Sequence, residues 1–440
     1  MNFEFDKQTI QDLEIFGNEK SPNSIFRYYN NTKTHGGKRH LFRLMHSPLT
    51  DINKIQQRRD TIKFIYDIEF ELTINSGQFD FIEHYLNLNV SPLRNNFLDA
   101  YLQAISYRLK PLNNYYIIQS GIRQLIFLFK HLNEKLESII ELTLPEELDN
   151  LIKRIYEFIC NPEIREIITA KEKYSCVKLN SFDNHIRKKY KNEMIEIIQL
   201  VYDIDAYISV AKAARLNKFA FPEYLPDLKP RLSVTGLFHP FLKNAVPYNV
   251  VFDKTKNLCF LTGPNMAGKS TFLKSVGLSI YLSHLGFPVP ANQMETTIYN
   301  GIISTINLSD DMNRGYSHFY SEVKRVKETA LKIQEKGNLF IIFDELFRGT
   351  NVKDAFDASL IIIKSFAKIS SCTFYISTHI TEVAEEIKSI NSIQFMYFDS
   401  ELIDHQPTYS YKLSTGVSHE RLGMLIIKNE KIIDILNSIS

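Results

Sequence analysis

Residues 263–271 read Gly263, Pro264, Asn265, Met266, Ala267, Gly268, Lys269, Ser270 and Thr271, a complete G-x-x-x-x-G-K-S/T pattern. An apolar, strand-like run over residues 258–262 precedes it and a helical pattern follows Lys269. That strand–loop–helix context is the one a phosphate-binding loop requires. Two glycines let the backbone curl so that N–H groups point inward at phosphate oxygens. The helix adds the positive end of its dipole. The chemistry expected is nucleotide binding, with Lys269 reaching the outer phosphates and the Ser270 hydroxyl sitting on Mg²⁺.

Three further constellations share the downstream half. Residues 339–345 are five apolar residues ending in Asp344 and Glu345, the pattern of a buried strand whose C-terminal end carries two carboxylates. Asp344 is expected to hold Mg²⁺, directly or through water, and Glu345 to position or deprotonate an attacking water. Ile376, Ser377, Thr378 and His379 read as another strand ending in polar groups, with His379 suited to sensing a γ-phosphate. Residues 309–319, followed by Glu322, read as a polar loop opening a helix with Ser317 as its N-cap.

These residues need a scaffold, and the 440-residue chain supplies two kinds. Residues 1–220 read as helical throughout. Leu125, Leu128, Leu132, Leu136 and Ile139 step at helical spacing, as do Met194, Ile197, Val201, Ile204, Ile208 and Ala211. Pro22, Gly36-Gly37, Pro92, Pro111, Pro145 and Pro162 mark the expected turns. A Pro-rich, linker-like stretch follows Asn217. From Leu232 short β-rich runs alternate with helices, so residues 221–440 read as an α/β domain with a substantially parallel sheet.

Composition removes other classes. The apolar fraction of 44% supports a full core. No apolar run approaches the roughly 20 residues that span a bilayer, so no membrane partner is expected. Cys160, Cys176, Cys259 and Cys372 are scattered without metal-ligand spacing, and a reduced, cytoplasmic setting is expected. A net charge of +2 gives no whole-chain footprint for nucleic acid, so any DNA contact must be local. Lys171, Lys173, Lys178, Arg187, Lys188, Lys189 and Lys191 form the candidate patch, although a solvated helix start is the simpler reading of that run. Lys38, Arg39, His40, Arg43, Arg58 and Arg59 read as solvated helix faces.

The order of the glycine loop, then Ser309-Asp310-Asp311 to Ser317, then Asp344-Glu345-x-x-Arg348-Gly349-Thr350, then Ser377-Thr378-His379 resembles the MutS family of DNA mismatch-repair ATPases. Val289-Pro290-Ala291 and Tyr411-Lys412-Leu413-x-x-Gly416-Val417-Ser418 with Gly423 fit it as well. Upstream, His46-Ser47-Pro48-Leu49 is similar to the start of the family's core helices, and His239-Pro240 to its ATPase entry. The resemblance implies an α/β ABC-type P-loop ATPase domain (residues 221–440) preceded by an all-α lever domain (residues 1–220). It also implies a homodimer with composite ATP sites, Ser317 reaching across to the γ-phosphate held by the partner's loop. Asp344 and Glu345 serve Mg²⁺ and water, His379 acts as the switch, and hydrolysis to ADP moves the levers, through which DNA is contacted.

Departures from the family pattern set further expectations. Ala267 stands where glycine is usual, which is tolerated if its φ stays negative. Tyr316 replaces the usual Arg of the signature segment. The adenine-stacking aromatic falls on Ala245, with Tyr248 or Tyr411 as substitutes. The chain begins at the core helices, leaving no room for a mismatch-reading domain, and too little sequence lies between residues 140 and 194 for a long clamp. The alternative reading is a nucleotide-switched protein-interaction module of the same fold that does not bind DNA.

Overall fold

The computed structural model describes residues 2–17, 23–94, 96–109, 113–170, 175–227, 229–252, 255–306, 318–403, 406–418 and 432. The first part of the chain is helical: α1 (Lys7–Asp12), α2 (Ile25–Tyr29), α3 (His35–Met45), α4 (Ile52–Asp67), α5 (Ser76–Leu86), α6 (Phe97–Leu109), α7 (Asn113–Glu137), α8 (Glu146–Cys160), α9 (Pro162–Ile168), α10 (Cys176–Asn184), a π turn (His185–Lys189) and α11 (Lys191–Asn217). The second part mixes β1 (Glu223–Tyr224), β2 (Leu232–Leu237), β3 (Tyr248–Phe252), β4 (Leu258–Thr262), α12 (Lys269–His284), β5 (Gln293–Thr296), β6 (Gly301–Thr305), α13 (His318–Lys336), β7 (Leu339–Phe343), α14 (Val352–Phe366), β8 (Thr373–Ser377), α15 (Glu382–Ile387), β9 (Ile393–Ile403) and β10 (Gln406–Thr415).

Compactness groups Met1–Tyr28, Ser47–Arg59 and Leu216–Ser440 in one unit, and Tyr29–His46 with Asp60–Arg215 in a second, helical one. In the helical unit both apolar series are buried, from Leu125 to Ile139 on and just beyond α7 and from Met194 to Ala211 on α11. Gly36 and Gly37 do not make the expected turn. They lie in the first turn of α3, whose N-cap Thr34 accepts from Gly37 N at 2.8 Å. A Cβ on Gly36 would meet the Tyr202 ring at 2.2 Å, and one on Gly37 would meet Asp205 Oδ2 at 2.2 Å. These glycines are there because α11 approaches too closely for any side chain.

The mixed unit contains a six-stranded sheet in the order β10-β9-β4-β8-β7-β6. Strands β6, β7, β8, β4 and β9 are mutually parallel, and β10 runs antiparallel to β9. Every residue of β4, β6, β7 and β8 is buried, which is why these strands read as continuous apolar runs and not as alternating ones. A second sheet has the order β1-β5-β2-β3. The linker-like stretch is built into it: Glu223 and Tyr224 pair with Glu295 and Thr296, and Ala220 bridges Val289. Arg58 and Arg59 are likewise not free on a solvated face. Arg58 donates to Leu285 O at 3.1 Å, and Arg59 donates to Pro222 O at 3.2 Å and Glu223 at 2.7 Å.

Candidate active site

The glycine loop leaves β4, fully buried in mid-sheet, and enters α12. Its curl uses left-handed backbone at Gly263 (φ 139°), Met266 (φ 68°) and Gly268 (φ 107°). Ala267 is not among the positive-φ residues and is fully buried, so an alanine methyl is accommodated there. Lys269 is folded back, donating from Nζ to Gly263 O at 2.8 Å and Pro264 O at 3.0 Å. Burial pushes its pKa below the usual lysine range, against the pull of Asp344 and Glu345.

Parallel pairing of β4 with β8 and of β8 with β7 brings the carboxylates and the polar strand end to the same edge of the sheet. Asp344 accepts from the Ser270 hydroxyl on one oxygen and from the Ser377 hydroxyl on the other. Burial raises its pKa, and those two hydrogen bonds work in the opposite direction. Ser377 Oγ also accepts from Glu345 N at 2.8 Å, so one hydroxyl ties the two carboxylate residues to β8. Ser270 and Asp344 together present the hard oxygens that suit Mg²⁺. Among the described residues there is no group of three or more His, Cys, Asp or Glu that could hold a metal ion.

Glu345 has its own pair of partners. His379 Nε2 lies 2.6 Å from Oε1, and Arg348 Nη1 donates to Oε2 at 2.6 Å. The His379 hydrogen bond, with that of Arg348, outweighs burial and lowers the pKa to about 2. Glu345 (φ 57°) and Phe347 (φ 58°) both have left-handed backbone, strain of the kind that gathers at functional loops. Glu322 on α13 accepts from Arg348 N and Gly349 N, each at 3.4 Å, and with Asp344, Glu345 and Phe347 lines an open pocket beside the carboxylates.

Two aromatic residues were candidates for the nucleotide base. Tyr248 is buried, edge-on to Phe272 at 5.2 Å and to Phe398 at 5.8 Å, which leaves it no free face for stacking. Tyr411 is 44% exposed and passes within 3.5 Å of where a Cβ on Gly268 would be, beside Tyr248 Oη at 3.6 Å and Phe398 at 3.7 Å, so it is the exposed one of the three aromatic residues that border the loop there. Residues 309–317, including Ser317 and Tyr316, lie outside the described residues, as do Lys171 and Lys173.

The basic patch needs correction. Arg187 is buried, and its guanidinium pairs with Asp183 at 2.6 and 2.7 Å. Lys189 is engaged by Glu163 at 2.5 Å, which leaves Lys178 and Lys188 as the exposed members outside these pairs. Sequence reasoning gave Ser377 and Arg348 no role, although both stand in the quoted motifs. Which carboxylate each would serve depends on strand order, and strand order is not written in spacing.

Comparison with known proteins gives a consistent result. A MutS domain III model matches residues 8–309, and a MutS domain V model matches residues 259–436. The DNA mismatch repair protein MutS of Thermotoga maritima is 28% identical over 282 residues, covering 62% of this chain and 35% of that protein. The MutS protein homolog 4 of Mus musculus is 27% identical over 273 residues, covering 60% of this chain and 27% of its own length. The chain thus spans between about a quarter and about a third of the length of these curated relatives. Matched by one MutS domain over 8–309 and by another over 259–436, the chain belongs to the MutS family.

Proposed function

We propose that this chain binds ATP at the loop between β4 and α12 and hydrolyses it in a Mg²⁺-dependent reaction. The observation that carries the reading is the convergence, at the C-terminal edge of neighbouring parallel strands, of the glycine loop, the Ser270–Asp344 pair and Glu345. Lys269, released from the carbonyls of Gly263 and Pro264, turns to the outer phosphates, and the loop amides bind them. Ser270 and Asp344 hold Mg²⁺, which when bound supplies charge neutralisation on the phosphates. Water forms a bond to the γ-phosphorus as the bond to the β–γ bridging oxygen breaks, giving ADP and phosphate. With His379 and Arg348 holding its pKa down at about 2, Glu345 is a weak base, which favours orienting that water over deprotonating it. His379, bonded to Glu345, couples it to the phosphate end of the site.

Glu345→Gln should keep ATP binding and lose most turnover, whereas Lys269→Ala should weaken binding itself. Turnover by Glu345→Gln at the wild-type rate would remove Glu345 from the mechanism.

The wider reading is an ATP-switched, DNA-binding homodimer of repair or recombination type, with Ser317 completing the partner's site and residues 1–220 acting as levers. The name of the Thermotoga maritima relative, a DNA mismatch repair protein, supports it. A second reading, a nucleotide-switched module that grips a protein, is favoured by the burial of Arg187 and the near-neutral chain. DNA titration of the full chain across salt concentrations, with and without a non-hydrolysable ATP analogue, separates the two.

A further inference from the structure

Asp344 is held by two hydroxyls, and they are not alike. Ser270 is exposed at the start of α12 and donates to Oδ2 from the open side of the site. Ser377 is the last residue of β8, fully buried, and donates to Oδ1. Ser270 can turn to a ligand, whereas Ser377 is out of any ligand's reach. The backbone of Ser377 is held from both sides, because β8 lies between β4 and β7. Leu261 of β4, two residues before Gly263, is its register partner, and on the other side Phe343 of β7 pairs with Ile376.

A serine hydroxyl has one proton and two lone pairs. The proton of Ser377 goes to Asp344, and a lone pair accepts from Glu345 N at 2.8 Å. The carbonyl oxygen of Ser377 accepts from Leu346 N at 3.2 Å. One buried residue therefore meets three consecutive residues at the turn that leaves β7. The middle one needs it most. Glu345 has left-handed backbone, with φ 57°, a conformation that persists only where the surroundings impose it. Ser377 gives that residue's N–H its partner, and so fixes the direction in which the Glu345 side chain leaves the backbone. An alanine at 377 would keep the strand pairing and the carbonyl bond and lose only the two bonds of the hydroxyl. A mere demand for a small buried residue would be met by alanine equally well.

We propose that Ser377 is a positioning residue for both carboxylates. It holds Asp344 Oδ1 so that Oδ2 is the oxygen left to Mg²⁺, and it holds the Glu345 corner so that this carboxylate meets the attacking water. The inference rests on the reading that the site binds ATP with Mg²⁺ and hydrolyses it.

The test uses full-length Ser377→Ala and a fluorescent, non-hydrolysable ATP analogue. The analogue is bound first without metal, and here the variant's affinity should stay within twofold of wild type, because the glycine loop and Lys269 are untouched. Mg²⁺ is then titrated in. The midpoint of the signal change should lie about tenfold to a hundredfold higher in the variant, as for loss of a group that orients a metal ligand. At saturating Mg²⁺ the turnover of ATP should still be down about tenfold or more, through the loosened Glu345 corner. An unchanged midpoint would overturn the Asp344 half of the proposal, and full turnover at saturating Mg²⁺ the Glu345 half. A comparable loss of affinity without metal would overturn both, since the hydroxyl would then support the fold of the loop and not the aim of the carboxylates. A wild-type protein that neither binds the analogue nor responds to Mg²⁺ would remove the ATP reading itself, and the role of Ser377 with it. Should the alanine variant not fold, Ser377→Cys, whose thiol is a weak donor and a weak acceptor, is read by the same measurements and judged by the same outcomes.

Discussion

Two carboxylates in this chain each have an arginine a turn downstream, and their surroundings are opposite. In the helical unit Asp183 takes Arg187 on two nitrogens, the Tyr85 hydroxyl at 2.8 Å and Leu93 N at 2.7 Å. Arg187 spends its remaining donors on Val90 O and Ser91 O, and its guanidinium lies 5.5 Å from the Tyr85 ring centre. Both side chains are essentially inaccessible, at 0% and 3%. In the mixed unit Glu345 takes Arg348 and His379, whose side chains are 61% and 39% exposed, from a left-handed backbone at the end of β7. The first cluster is closed: every strong donor ends within it, and nothing can enter without breaking it. The second is open: water can replace either partner on Glu345, and a phosphate can replace Glu345 on Arg348 or on a protonated His379. Closure separates a charge cluster that holds a fold from one that can do chemistry.

The largest effect tests the closed cluster. Arg187→Leu leaves Asp183 buried without its cation and should cost about 3–5 kcal/mol of stability. Urea unfolding followed by helical circular dichroism reads this, and a loss under about 1 kcal/mol would mean that the pair is solvated and the contrast unfounded. The open cluster should show the reverse split. Glu345→Gln should lower turnover by on the order of a hundredfold or more, and Arg348→Ala should leave stability within about 1 kcal/mol because the pair is exposed. A large stability loss in Arg348→Ala with unchanged turnover would make this second cluster structural too.

The contrast explains what was legible in the sequence. The glycine loop, Asp344, Glu345 and His379 each end an apolar run, and a parallel sheet buried on both faces turns such runs into strands that share one ligand edge. The stripes on α7 and α11 were legible because helical burial repeats at helical spacing. Gly36-Gly37 were misread because the sequence shows a glycine but not the Tyr202 ring that excludes a Cβ. Arg187 was misread because it sits in a basic run, while its partner Asp183 is one turn back and the closing donors, Tyr85 and Leu93, are about ninety residues away. The N-terminal residues read only as the start of a helical half, since nothing local ties Asp6 to Arg325 more than three hundred positions later.

A buried histidine extends the comparison to pH. His284 is buried, with Nδ1 2.7 Å from Leu49 O and Nε2 accepting from Tyr299 N at 3.2 Å, an arrangement that fits the neutral ring carrying its proton on Nδ1. Burial lowers its pKa to about 4 from 6.5, and a second ring proton would face the Tyr299 N–H. The folded-state pKa lies below the unfolded one, so the unfolded chain binds more protons between the two values. The stability penalty is therefore absent above about pH 6.5 and grows as the pH falls towards 4. From pH 7 to pH 5 this group alone should remove about 2 kcal/mol. His239, which burial also lowers to about 4, acts in the same direction. His284→Gln should flatten the acid slope by its own share, leaving that of His239. Equal slopes for variant and wild type would show that the ring is not held neutral.

The smallest effect concerns the cations that the closed cluster leaves outside. With Arg187 committed to Asp183 and Lys189 to Glu163, the basic patch keeps, among the described residues, Lys178 and Lys188 as exposed members outside these pairs and Lys191 as a half-buried one. If the helical unit follows a phosphate backbone, each of these lysines can neutralise one phosphate at most. Lys178→Glu with Lys188→Glu should then flatten the salt dependence of DNA binding by about 0.9 in log–log slope for each duplex phosphate no longer neutralised. The weakening should be the same for every sequence tested, since phosphate contacts carry no base information. Arg187→Leu, in contrast, should leave the slope unchanged and lower only the amount of protein competent to bind. A slope that is steep in the wild type and unaltered in the lysine variant would move the DNA interface to other residues. A wild-type chain with no salt-sensitive DNA binding, with or without the ATP analogue, would leave the helical unit as the arm of a protein-gripping switch.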